Sequence, residues 1–373
     1  MLKYVGVAAV LVLGAMIIFQ NFRVQPEPVA APAREEVREA AEERVPSARE
    51  QAHERTGATL VFGAIPYWDQ ARATAMFKKH VEDIDAVALF WYRLNRDGSI
   101  GKYQNAREDQ SLIEFAHQHG VAVYALVANL PESGDWDRER VAAAIGTPEA
   151  RAAHIQSLVA LAREKNFDGI NIDYEFLSDA QTDDFTTFIN ELGAALRAEG
   201  KKLKVAIHAQ RPGSETRGQD IAALTGADYL AFMTYDQHWE TSDPGANAEI
   251  GWTREVLEHA ARLGVPMNKI LLGIPLDGYN WRGEDGDWEE AEGVDYVSAL
   301  ELADAEGATV RYDESVEAPY FTFGNSDGSE NEVWFENVQS FRPKYELAKE
   351  FGLAGVALWK FGAEDERIYD VIE

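Results

Sequence analysis

From residue 57 onward, short apolar runs alternate with amphipathic stretches. The runs fall at 60–65, 84–91, 121–127, 169–173, 203–208, 229–234, 270–275 and 355–359. Each is short and rich in Val, Ile, Leu or Ala, as strands covered on both faces are. Between them, stretches such as 111–119, 148–165, 183–199 and 253–263 set helix-forming residues at helical spacing. Strands alternating with helices predict a parallel sheet joined by crossovers. Eight such units predict closure into an α/β fold of the (β/α)8 TIM-barrel type, with its site at the C-terminal ends of the strands. An open doubly wound sheet is the alternative, but no Gly-x-Gly-x-x-Gly or phosphate-binding loop follows a strand.

One connection breaks the rhythm. Residues 276–332 separate the seventh strand from the last helix, far more than an ordinary loop needs. Strand-like runs at 309–312 and 320–323 and a helical piece at 297–305 predict a small α+β insertion at about 277–332. Its stretch 283–317 holds thirteen acidic residues and one basic residue, so 1 − 13 = −12.

The pattern at the N-terminus differs. Residues 4–22 form 19 positions without a charge. As a helix they span ~28 Å, close to a bilayer core of ~30 Å. Residues 1–23 are therefore expected to be a membrane anchor, or a signal segment cleaved near Ala31. Lys3 and Arg23 flank the run and leave its orientation open. Residues 24–55 read as a linker followed by a charged helical stalk, with five Arg and seven Glu in 34–55. The body, 56–373, is then expected to be exported, tethered to the membrane or secreted.

Composition narrows the chemistry. Hydrophobic residues make up 46 %, enough for a large core. The net charge, 35 − 64 = −29, speaks against nucleic acid as a partner, because phosphate binding needs clustered Lys and Arg. The absence of cysteine removes thiolate nucleophiles, zinc fingers and iron–sulfur clusters. The eight histidines are scattered, no Gly-x-Ser-x-Gly elbow occurs, and neither a metal nor a cofactor is expected.

The most informative segment is Asp168-Gly169-Ile170-Asn171-Ile172-Asp173-Tyr174-Glu175. On a strand, Asn171, Asp173 and Glu175 share one face, while Ile170, Ile172 and Tyr174 share the other. Two carboxyls confined together cannot both ionise freely, so one is held protonated. A carboxyl protonated near neutral pH is what a general acid requires.

That segment resembles the Asp-Gly-x-Asp-x-Asp-x-Glu signature of family 18 glycoside hydrolases, the chitinase-like enzymes. Met233-Thr234-Tyr235-Asp236 resembles the family's Met-x-Tyr-Asp, and Gly355-Val356-Ala357-Leu358-Trp359 resembles its eighth strand. Phe90-Trp91-Tyr92 with Asp97-Gly98, and Gly278-Tyr279-Asn280-Trp281, resemble the bacterial branch that includes spore-cortex peptidoglycan N-acetylglucosaminidases. The middle acid of the signature is Asn171 here, as it is in that branch.

The resemblance implies hydrolysis of β-1,4 bonds next to N-acetylated amino sugars, in chitin, peptidoglycan or a related glycan. The implied mechanism retains configuration through the substrate's own acetamido group. It makes Glu175 the general acid and base, and Asp173 the residue that orients the acetamide. Tyr235 would bond the acetamide oxygen and Asn171 would hold Asp173. Trp359 would floor the sugar site. Asp236, Trp91, Tyr67, Trp281 and Tyr279 are candidate substrate walls, although any one of these aromatics fits a core as well. The alternative is a chitinase-like lectin of the cell envelope that binds glycans with little or no cleavage.

Overall fold

A computed structural model describes residues 59–284 and 286–372. The expected anchor at 1–23 and stalk at 24–55 lie outside these residues. Among the described residues no helix is long and apolar enough to cross a membrane.

The strands, in chain order, are β1 (Leu60–Pro66), β2 (Ala86–Leu94), β3 (Ile100–Lys102), β4 (Ala122–Ala128), β5 (Gly169–Asp173), β6 (Lys202–His208), β7 (Tyr229–Met233) and β8 (Ile270–Pro275). There follow β9 (Asp277–Glu284), β10 (Asp287–Trp288), β11 (Glu292–Asp295), β12 (Arg311–Asp313), β13 (Ala318–Gly324), β14 (Glu330–Trp334) and β15 (Gly355–Trp359). A nine-stranded sheet runs β1-β15-β8-β7-β6-β5-β4-β2-β3, and the β1–β2 pairing closes it. Apart from β3, which pairs antiparallel with β2, its strands are parallel. The result is a closed eight-stranded parallel barrel, with β15 diametrically opposite β5.

Helices cover the outside. Thr182–Ala198 turns Phe185, Phe188, Ile189, Leu192 and Leu196 to the barrel, at the spacing of three and four that one helix face requires. Pro148–Glu164 starts with Pro at its first position and with Thr147 accepting the Ala150 N–H. The alternation fails once. Between β6 and β7 the chain makes turns and no α-helix, because Pro212, Gly213 and Gly218 interrupt any helical run.

The barrel interior is layered. Phe62, Tyr124 and Tyr229 plug its lower part, with ring centroids 5.5 and 5.2 Å from Phe62. Above them the inward positions are Ala64, Ala88, Ala206, Ala231, Gly273 and Ala357. TIM barrels usually fill these positions with bulky branched residues. Small residues here leave the top of the barrel open as a cleft.

The long connection after β8 forms a second sheet, ordered β10-β9-β14-β13-β12, with β11 also on β9. The helix Tyr296–Ala305 packs Ala299 and Ala303 against Phe321, Val333 and Phe335 on one side. On the other side Trp281, Trp334 and Ala318 form a separate small core. Strands β9 and β14 escape the sequence reading, because charged and polar residues interrupt their apolar pattern.

Candidate active site

The cleft is built around β5. Ile170, Ile172 and Tyr174 point outward and are fully buried, and the Tyr174 hydroxyl meets His154 Nε2 at 2.7 Å. Asn171, Asp173 and Glu175 point into the cleft, as the alternation predicts. Glu175 lies two residues past the strand end, where the sheet no longer fixes its backbone. Asn129, fully buried beyond β4, takes over. Its Oδ1 accepts the Glu175 N–H at 2.8 Å and its Nδ2 donates to the Glu175 carbonyl at 3.0 Å. Phe176 then turns the chain through left-handed backbone, φ 54°.

Charge in this confined space shifts the titrating groups. Burial pushes the Asp173 carboxyl up to about 7, while Lys204 and Glu175 pull it back. Burial drives Glu175 well above the ordinary range, and the charges of Asp173 and Asp236 add to that. Burial lowers Lys204 to about 8, and Asp173 opposes the fall. His208 is pushed down to about 3 by burial, then by Arg217, so it is neutral. Its Nε2 lies 3.4 Å from Glu175 Oε2. Glu175 is thus an acid kept protonated beside an Asp that Lys204 helps to ionise.

The opposite wall comes from β7, β8 and β15. The Tyr235 ring lies over Gly273, where a Cβ would stand 2.9 Å from the ring and 2.3 Å from the Phe232 carbonyl. Only glycine leaves Tyr235 that position. The Trp359 ring lies 6.4 Å from Tyr235 at an interplanar angle of 14°, with Trp68 and Phe90 at its edges. The peptide from Trp359 to Lys360 is cis. Asp236 adopts φ 56°, and Asn247 Oδ1 accepts its N–H at 2.6 Å. The Tyr279 hydroxyl donates to Asp236 Oδ1 at 2.9 Å. Asp236 is open to solvent through the cleft, yet crowding on its other sides raises its carboxyl and the Tyr279 bond lowers it again. The cleft measures about 1060 Å³.

The structure thus gathers Asn171, Asp173, Glu175, Tyr235, Asp236, Tyr279 and Trp359 into one cavity. It does not bring in the remaining aromatics. Trp91 follows the inward Phe90, so alternation turns it to the helix side, where it is buried against Phe167. Trp281 is fully buried in the core of the insertion. Neither is a substrate wall. Tyr67 stacks on Tyr103 at 4.1 Å behind the exposed Trp68, and Trp68 takes the place in the cleft. Asn171 Oδ1 is buried without a hydrogen-bond partner. The charge of Lys204 acts on Asp173.

Sequence reading missed Asn129, Lys204, His208 and Arg217. Lys204 and His208 leave a trace, since both fall on the inward parity of an otherwise apolar strand. Asp168 braces the strand start, with Oδ2 2.8 Å from His117 Nε2 and accepting the Val123 N–H at 2.8 Å. Among the described residues no group of three or more His, Asp or Glu is arranged to hold a metal ion.

The family model for glycosyl hydrolases family 18 matches residues 65–364. A chitinase from Chromobacterium violaceum ATCC 12472 is 30 % identical, with a TM-score of 0.77 over 84 % of this chain and 98 % of that one. The spore cortex-lytic enzyme of Bacillus megaterium QM B1551 is 26 % identical, with a TM-score of 0.75 over 84 % and 73 %. The cortical fragment-lytic enzyme of Bacillus subtilis is 30 % identical over 214 residues, 56 % of this chain and 49 % of that protein. The chain spans about half to two thirds of the length of the curated relatives it matches first. With the family model covering well over half of its residues, and with Asp173, Glu175 and Tyr235 gathered in the barrel mouth, the chain belongs to glycosyl hydrolases family 18.

Proposed function

We propose that this protein hydrolyses β-1,4 bonds next to N-acetylated amino sugars, with retention of configuration. The observation that carries the reading is the convergence of Asp173, Glu175 and Tyr235 opposite Trp359, with the Glu175 carboxyl held above its ordinary range. A sugar stacks on Trp359, whose ring offers an apolar face. Asp173 accepts the acetamide N–H and Tyr235 donates to the acetamide oxygen, which aims that oxygen at the anomeric carbon. Glu175 gives its proton to the glycosidic oxygen as the bond breaks and the acetamide oxygen bonds to the anomeric carbon. The resulting oxazolinium is cationic, and the Asp173 carboxylate stabilises it. Glu175, now a carboxylate, takes a proton from water as the water attacks the same carbon. The names of the relatives point to chitin or to peptidoglycan glycan as the polymer.

Replacing Glu175 by Gln keeps the shape and removes the proton. The variant is expected to lose cleavage of N-acetylated oligosaccharides by at least ~10³-fold while melting as the wild type does. Equal release of reducing ends by both proteins would exclude Glu175 as the acid. Binding of chito-oligosaccharides by the wild type without any cleavage would favour a lectin.

We also propose that residues 4–22 anchor the catalytic body outside the cytoplasm. The support is their uncharged length of 19 residues ahead of a Pro/Ala-rich linker. Membrane fractionation of the full chain, beside a chain lacking 1–23, tests this. Recovery of the full chain in the soluble fraction at its full mass would overturn it.

A further inference from the structure

Arg217 is placed unlike other arginines near the cleft. The turn that replaces a helix between β6 and β7 brings it back to the barrel mouth in left-handed backbone, φ 48°. Gly218 follows at φ 71°, where a Cβ would stand 2.5 Å from that of Leu177. Such backbone is rare for residues other than glycine, so this turn is held in a strained form. The guanidinium lies 4.6 Å over the Phe176 ring, and its Nη1 is 3.3 Å from His208 Nδ1.

The charge balance is unusual. Arg211, exposed on the same edge, pairs with Glu255 at 3.2 Å, and Arg140 pairs with Asp137 at 3.0 Å. Among the described residues no carboxylate stands within ion-pair distance of Arg217. Its neighbours are a neutral imidazole and an aromatic face. In a chain of net charge −29, a half-buried guanidinium without a carboxylate partner, beside Glu175, has a substrate-facing explanation.

Its position gives the side of the cleft. Trp359 on β15 stands across the barrel from β5, and Tyr235 lies beside it. Phe176, His208 and Arg217 gather on the β5–β6 side of Glu175. For a sugar seated on Trp359 with its glycosidic oxygen at Glu175, Arg217 lies on the far side of that acid, where a leaving-group sugar would extend.

We propose that Arg217 forms an anion subsite for the leaving-group sugar, taking a carboxylate borne by that sugar, as the lactyl ether of N-acetylmuramic acid does. This rests on the hydrolytic reading above and narrows it from neutral chitin to an anionic glycan. It also couples recognition to chemistry. The groups facing Glu175 are Asp173 from β5, His208 from β6, Asp236 past β7, and Arg217. Of these, Arg217 is the one whose charge lowers the Glu175 carboxyl. A substrate carboxylate at Arg217 offsets that charge, so Glu175 keeps its proton to higher pH.

The test uses the purified full chain and three tetrasaccharides. One alternates N-acetylglucosamine and N-acetylmuramic acid with free lactyl carboxylates. The second is the same glycan with those carboxylates converted to methylamides. The third is chitotetraose. The wild type is expected to prefer the acid over the amide by ~10-fold or more in kcat/KM, as one charge-assisted contact allows. Its alkaline pH limb lies higher with the acid than with the amide. In Arg217→Gln the preference vanishes and the two limbs coincide, whereas Arg217→Lys keeps part of both. Equal cleavage of acid and amide by the wild type, which needs no variant to fold, overturns the subsite and leaves hydrolysis standing. Cleavage of none of the three overturns the hydrolytic reading and the subsite with it.

Discussion

The side-chain amide of Asn129 brackets the backbone of Glu175, accepting from its N–H at 2.8 Å and donating to its carbonyl at 3.0 Å. Glu175 lies beyond the strand, so this pair of bonds replaces the sheet in fixing where the carboxyl projects. Asn129→Leu leaves both backbone groups buried and unpaired, which costs about 1–3 kcal/mol each. The expected result is a lower melting temperature and a kcat reduced ~10-fold or more, with KM changed little. Asn129→Asp keeps the acceptor and should fall between. A KM-dominated loss would contradict a positioning role.

Asp236 raises the Glu175 carboxyl through its charge. Asp236→Asn removes that charge, and Glu175 gives up its proton more readily. The alkaline limb of kcat/KM then moves to lower pH. A pH–rate profile on a neutral oligosaccharide checks this, and a limb that stays or moves upward contradicts it.

Lys204 acts on the other carboxyl. Its buried charge lowers Asp173, which burial holds up to about 7. Asp173 must be ionised to stabilise the cationic oxazolinium, so activity falls as pH drops through its pKa. Lys204→Met removes the cation, and the acid limb of kcat is expected to shift to higher pH. Lys204→Arg restores charge and should return part of the shift.

Asp277 stands at the start of β9, with burial pushing its carboxyl from 3.8 up to about 7 and Asp236 and Glu336 adding to the rise. Between these values the folded chain binds more protons than the unfolded one, so stability declines as pH rises through the window. Asp277→Asn removes that decline. The variant is expected to be the more stable protein at pH 8, with a smaller gap at pH 4. Calorimetric melts at both pH values decide it.

Much of this was legible in the chain. Buried parallel strands need apolar side chains on both faces, so all eight barrel strands stand out as short apolar runs. Alternation along 170–175 was enough to separate the isoleucines from Asn171, Asp173 and Glu175, because a strand turns each successive side chain to the opposite face. The same rule, applied past Phe90, would have placed Trp91 outside the cleft. Trp91 is the extra residue of a β-bulge, and that hides its direction from a local reading.

Tertiary structure decided the rest. Asn129 and Glu175 are 46 residues apart, and only the parallel pairing of β4 with β5 puts an amide from one strand end against the backbone of the next. Lys204, His208 and Arg217 become part of the site because small residues on the neighbouring strands leave space above an aromatic floor. Which of two equal tryptophans lines a cleft depends on what packs behind it, and local sequence does not carry that. The alternation of side chains is a property of one strand and can be read from it; the meeting of strands is a property of the closed barrel.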